Sequence, residues 1–186
     1  MRVMAAVVIL SCIPILGYAQ DCVLIPDKTF CGVAITSTSE QFIKVLGEPD
    51  GQIKMGTDRI AYLYGPRLLL VFWHDKLWEI YSWETNPNIE FWDYVKNRET
   101  RTDMKLTFEK WSPWGLSRRQ MEQHDAEYPV EDADMCVENR TSGDTDIDIF
   151  YSPFYSVESS LSDNNDWEAF RVQSIKVRFN IVEKKP

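Results

Sequence analysis

Asp144, Asp146 and Asp148 alternate along Asp144-Thr-Asp-Ile-Asp-Ile-Phe150, and carboxylates so spaced are hard oxygen donors of the kind a calcium ion takes. The rest of a calcium loop is missing. The sixth position is Ile149 rather than glycine, no glutamate follows at the twelfth, and Thr145, Ile147 and Ile149 fit the apolar side of a strand. The pattern predicts a solvated acidic strand face, with no metal and no cofactor. The two histidines, His74 in a predicted turn and His124 in a polar helical stretch, read as surface side chains. Ser117 follows Gly115-Leu116 but lacks the surroundings of a Gly-x-Ser-x-Gly nucleophile, and helix capping explains it better. No catalytic residue is assigned, and a non-enzymatic protein is expected.

The seven tryptophans invite a second kind of chemistry, recognition. Trp73, Trp78 and Trp92 fall in runs that read as buried. Trp111 and Trp114 flank Ser112-Pro113 in a predicted loop, near acidic segments, which matches an aromatic interface anchor with a charged rim. The competing reading is that both indoles close one end of the core. Trp111, Trp114, Asp144, Asp146 and Asp148 are therefore the candidate partner-binding residues. Asn139-Arg-Thr141 is a glycosylation sequon that matters only in a eukaryotic secretory route.

Met1-Arg2 leads into an apolar run from Val3 to Leu16 that ends in Gly17-Tyr18-Ala19. This reads as a secretory signal peptide over residues 1–19, cleaved after Ala19, and it is too short to span a membrane. A rival reading takes Leu10-Ser11-Cys12 as a lipid-attachment site at Cys12, although apolar Ile13 to Leu16 follow it. Three cysteines then meet an oxidising compartment, Cys22, Cys31 and Cys136, and a Cys22–Cys31 disulfide is favoured over a bridge from either to Cys136. The odd thiol is unpaired or intermolecular. The chain carries 29 acidic and 20 basic residues, a net charge of -9 that argues against nucleic acid and favours a basic protein partner or plain solubility.

Two spans with equal internal spacing organise the remainder: Ser37-Thr-Ser-Glu40 followed by Pro49, and Ser117-Arg-Arg-Gln120 followed by Pro129. Each tetrad reads as a capping box, with Ser37 and Ser117 as the caps. Phe42, Val45 and Leu46 line one face of the first helix, Gly47 suits a positive φ past its end, and Pro49 stops it. Arg59–Tyr64, Leu68–Trp73 and Leu77–Trp83 read as an antiparallel meander whose middle strand is apolar on both faces. Met104–Phe108, Asp144–Phe150 and Ser174–Ile181 read as later strands. Residues 85–99 read as a connector with a short helix, and 159–166 as a polar loop. The fold class expected is α+β, two tandem helix-on-antiparallel-sheet modules over residues 20–99 and 100–186 that share a core or a continuous sheet.

Thr36 to Asp50 and the meander from Ile60 to Trp83 together resemble the SmpA/OmlA small-lipoprotein and beta-lactamase-inhibitory-protein group, in which a helix ending Leu-Gly-x-Pro packs on an antiparallel sheet. A looser similarity is to periplasmic toxin-immunity proteins. The resemblance implies an exported protein-binding protein without catalysis, most concretely an inhibitor or immunity protein that occludes a toxin or hydrolase. The alternative it implies is an envelope assembly protein of the SmpA/OmlA kind. Neither reading contains a transmembrane segment.

Overall fold

The computed structural model describes residues 21–84, 104–134, 136–153 and 170–180. The leader, the 85–99 connector and the 159–166 loop expected from the sequence lie outside the described residues. Twelve strands are ordered as β1 (Asp21–Ile25), β2 (Thr29–Phe30), β3 (Val33–Ala34), β4 (Gly51–Lys54), β5 (Arg59–Tyr64), β6 (Leu68–Trp73), β7 (Lys76–Trp83), β8 (Lys105–Phe108), β9 (Val130–Ala133), β10 (Val137–Ser142), β11 (Thr145–Pro153) and β12 (Phe170–Phe179). The described helices are α1 (Ser39–Leu46) and α2 (Arg118–Met121), the second continued by a 3-10 turn over Glu122–His124. No helix among the described residues is long and apolar enough to cross a membrane.

This corrects the expected fold class. The described chain is mostly β, in one sheet of eight strands and one of four, rather than an α+β pair of helix-on-sheet modules. A capping box states where a helix begins and says nothing of its length. Gly47, at φ 86°, and Pro49 stop α1 after eight residues, and the polar stretch from Glu122 onward gives α2 no apolar stripe to extend. The four-stranded sheet draws strands from both spans, 20–99 and 100–186: β8 pairs in parallel with β1 through Cys22↔Leu106 and Leu24↔Phe108.

The first cap shifts by one residue. Ser37 N–H is spent on Ala34 in a turn, so Thr38 becomes the cap, and its own N–H donates to Gln41 Oε1 at 2.9 Å. The second box forms as expected: Gln120 N–H donates to Ser117 Oγ at 3.3 Å, and Ser117 N–H donates to Gln120 Oε1 at 2.8 Å.

The large sheet is antiparallel throughout, in the order β4-β5-β6-β7-β12-β11-β10-β9. Alternation gives it two unlike faces. The inner face carries Tyr62, Leu70, Ile80, Val177 and Ile147 against Phe42 and Leu46 of α1, Met121, and Leu24, Phe30 and Leu106 of the small sheet, all buried in one cluster. On the outer face a second cluster of Ala61, Leu63, Leu69 and Val71 packs against Trp78, Tyr81 and Trp83. The Cys22–Cys31 disulfide closes β1 onto the loop after β2, with Cα atoms 4.5 Å apart, and Cys136 is a free, exposed thiol.

One latch joins the two sheets at the β10–β11 turn. The Asp27 carboxylate accepts from Asp144 N–H at 3.2 Å and from Thr145 Oγ1 at 2.7 Å. Gly143 has a φ of +60°, and a Cβ built there would lie 1.8 Å from Asp27 Oδ2. Gly143→Ala must turn Asp27 out of its hydrogen bonds and hold alanine in a left-handed conformation, a loss of about 2–3 kcal/mol. In an Asp27→Ala background the same substitution should cost only the backbone strain, about 1 kcal/mol, and urea unfolding of the two single variants and the double variant measures the difference.

Candidate functional site

Three cross-strand rows build the outer face. One runs Ile53, Ala61, Val71, Glu79, Arg178, Asp146, Thr141, and the next runs Leu63, Leu69, Tyr81, Lys176, Asp148, Asn139. A third runs Trp83, Ser174, Phe150, Val137. The sheet thus passes from an apolar half on β4 to β6, through aromatic side chains on β7, to a charged half on β12 to β10. Directly opposed side chains in such rows are close enough to interact, and the strands fix their order.

Glu79 is the hinge of the charged half. It is buried, yet its carboxylate accepts from Arg178 Nε at 3.0 Å and Tyr81 Oη at 3.0 Å and lies 3.3 Å from Lys176 Nζ. Burial, reinforced by the Glu79 carboxylate, pushes the Tyr81 phenol up to about 12, so it stays a neutral donor. Tyr81 stacks on Trp83 with centroids 6.1 Å apart, and Lys176 Nζ lies 5.5 Å from the Tyr81 ring. Asp148 accepts from Asn139 Nδ2 at 2.6 Å and Asp146 from Asn180 Nδ2 at 3.1 Å, while Phe150 is 36% exposed. Next to them, Glu131 and Asp132 on the exposed strand β9 add acid at the sheet edge.

The structure divides the predicted site residues between two sides of the sheet. Asp146 and Asp148 lie on the outer face, opposite Ile147 and Ile149, and Asp144 is exposed in the turn beside Asp27. The Asp148 and Asp146 carboxylates accept from Asn139 and Asn180, and no three acidic, histidine or cysteine side chains converge as a metal site among the described residues. Trp111 and Trp114 pack on the inner core instead. Trp114 Nε1 donates to Leu106 O at 2.6 Å, which ties the loop to β8. Trp111 is stacked between Phe108, at 4.4 Å, and His124, at 3.9 Å. Both indoles are half-buried in the loop after β8, where the competing sequence reading has them close one end of the core. Asn139 sits in a strand paired on both sides, with its amide committed to Asp148, rather than in a loop.

Below Trp111 lies an ionic network that the sequence did not announce. Arg140 and Glu138, opposite Ile147 and Ile149, stand at β10 in two inner rows of the sheet, where alternation would place apolar residues. Arg140 Nη1 donates to Asp125 Oδ1 at 2.7 Å and to Tyr128 O at 2.8 Å, and Nη2 donates to Glu138 Oε2 at 2.8 Å. Arg118 Nε lies 2.6 Å from Glu138 Oε1, and Tyr151 Oη donates to Glu138 Oε2 at 2.8 Å. Burial opposes the Arg140 charge, but hydrogen bonds to Glu138 and Asp125 outweigh it and hold its pKa above the ordinary value. The network fastens α2 and its 3-10 turn to the sheet.

No protein-family model matches the chain, and no curated protein matches it. Among solved structures it is similar to a cysteine-rich secretory protein from Staphylococcus aureus subsp. aureus Mu50, with 10% identity and a TM-score of 0.45, over 78% of this chain and 44% of that one. The chain therefore spans less than half the length of that protein, and at this level of likeness nothing about its activity transfers.

Arg140→Ala leaves the Glu138 carboxylate buried with fewer partners, and chemical denaturation should show a loss of about 3–5 kcal/mol. His124 titrates in the opposite sense to a stabilising cation. Burial, then the nearby Arg140 charge, lowers its pKa below 6.5, so folding favours the neutral ring. That contribution is complete above pH 6.5 and is lost as the pH falls below it. The melting temperature should therefore drop less on acidification from about pH 7 to pH 5.5 in His124→Gln than in the parent chain.

Proposed function

We propose that the chain is an exported, non-catalytic protein-binding protein that uses the β7–β12–β11–β10 part of the outer face, most concretely an inhibitor or immunity protein that neutralises a toxin or hydrolase by covering it. One observation carries the reading: Tyr81, Trp83 and Phe150 stand in register beside the Glu79–Arg178–Lys176 cluster and the aspartates of β11. Aromatic side chains with few rotatable bonds, held on paired strands, lose little entropy on contact, and a charged surround sets encounter rate and register more than affinity. The disulfide of β1 is compatible with an oxidising, extracytoplasmic setting. Acid at the β9 edge and in Asp144, Asp146 and Asp148 suits a basic partner surface.

Trp111 and Trp114 act in this reading through the core, by fixing the β8 loop, and the recognition role moves to Tyr81, Trp83 and Phe150. Site-specific photo-crosslinking in cells that produce the chain tests it. A benzoylphenylalanine in place of Phe150 should give one discrete extracytoplasmic protein adduct, and the same group in place of Val45, which is 59% exposed on α1, should give none. Equal labelling from both positions, or adducts from Val45 alone, would overturn the assignment of the face.

A further inference from the structure

At one end of the sheet, away from the charged half of the outer face, two adjoining hollows of about 650 and 250 Å³ share Asp58 and Arg59. They lie between the β4–β5 loop and the β6–β7 turn, and the indoles of Trp73 and Trp78, 6.3 Å apart, wall the smaller one. Arg59 is set over the Trp78 ring with Cζ 5.4 Å from its centroid. Trp73 Nε1 donates to Asp58 Oδ2 at 2.8 Å, and that bond holds the Asp58 carboxyl below the usual carboxylate range.

The turn that faces this cleft is not built for turn stability alone. His74 and Asp75 occupy its two central positions at φ 45° and 63°, where Asn-Gly is the least strained choice. Asp75 has a structural use, because its carboxylate accepts from Ser39 N–H at 3.0 Å and from the Ser39 hydroxyl, docking the turn on the first turn of α1. His74 has less: its ring lies 4.9 Å from Trp73, its Nε2 is 3.9 Å from Asp58, and its side chain is 59% exposed at the cleft. His74 thus presents its ring at the cleft from a left-handed backbone position.

The charges indicate the ligand. Lys54 and Arg59 equal Asp58 and Asp75 in number, so the formal charges of these four side chains cancel and favour neither an anion nor a cation. What remains is a set of hydrogen-bond donors and acceptors, with Asp58 held by Trp73 and Arg59 by Trp78, and Thr57 exposed beside them at the two indoles. A pyranose matches that set. Its vicinal hydroxyls both donate and accept, charged partners strengthen those bonds, and its polarised C–H face packs on the electron-rich face of an indole. Carboxylates and a guanidinium already held by Trp73, Ser39 and Trp78 lose little freedom when a ligand arrives. We propose that this cleft is a carbohydrate-binding site for the end of a neutral oligosaccharide, distinct from the protein-binding face.

Indole N–H resonances of the intact chain read the test directly, assigned by Trp→Phe variants. Maltotriose, cellotriose, chitotriose and mannotriose are the probes, with myo-inositol and benzoate as polyol and anion controls. At least one trisaccharide should shift the Trp73 and Trp78 signals saturably at millimolar concentration while Trp114 stays unmoved. His74→Gly relieves the left-handed strain, so its melting temperature should equal or exceed that of the parent while binding weakens about fivefold or more, and Arg59→Ala should weaken binding similarly. No saturable shift up to about 20 mM of any trisaccharide would sink the proposal. So would equal shifts from myo-inositol, shifts from benzoate alone, or parental affinity in both variants.

Discussion

The antiparallel pairing of β7 with β12 is the constraint on which the structure depends. It runs from Trp83↔Ser174 to Glu79↔Arg178 and joins the β4–β7 meander to the β9–β11 strands in a single sheet. Both faces follow from that register. On the inner side, Ile80 opposite Val177 and Ser82 opposite Ile175 continue the core across the seam. On the outer side, Glu79 meets Arg178 and Tyr81 meets Lys176. A slip of one residue would place Lys176 and Arg178 in the core and expose Ile175 and Val177, so the register is strongly specified. The Glu79 carboxylate, with its three partners, adds a polar lock at the same seam.

Two buried carboxylates serve opposite sides of this sheet. Glu79 organises the outer face, where its partners remain partly accessible, and Glu138 organises the inner face, where Arg140 is 1% exposed. Buried ionic groups of this kind add little net stability over well-packed apolar residues, yet removing one partner is costly. Their structural effect here is orientation. Glu138 holds α2 and the 3-10 turn through Arg118 and Arg140, and Glu79 holds the Tyr81 hydroxyl. Each face is thus ordered from within by a buried carboxylate.

Much of the sheet was legible because period-two alternation is a local signal. The strands at 59–64, 68–73 and 76–83 coincide with their sequence assignments to within a residue, and the aspartates of β11 fall on the face opposite Ile147 and Ile149, as their spacing indicated. The Ser117 capping box and the Cys22–Cys31 bridge were legible for the same reason: each joins residues close in sequence. What escaped was non-local or weakly patterned. Val130–Ala133 is polar and short, and its strand character comes from β10 beside it. The parallel β1–β8 pair joins segments more than eighty residues apart, a contact that no local pattern announces. Helix starts were readable and helix lengths were not, which tilted the expected class toward α+β.

Strand β9 closes one side of the large sheet and β4 the other. An open sheet edge offers unpaired N–H and C=O groups to any extended chain. Here β9 is four residues long, begins after Pro129, carries Glu131 and Asp132, and meets β10 across a register shift. β4 is equally short and ends in Lys54. Both borders of the large sheet are brief and charged, which disfavours their serving as a template for a strand of another chain.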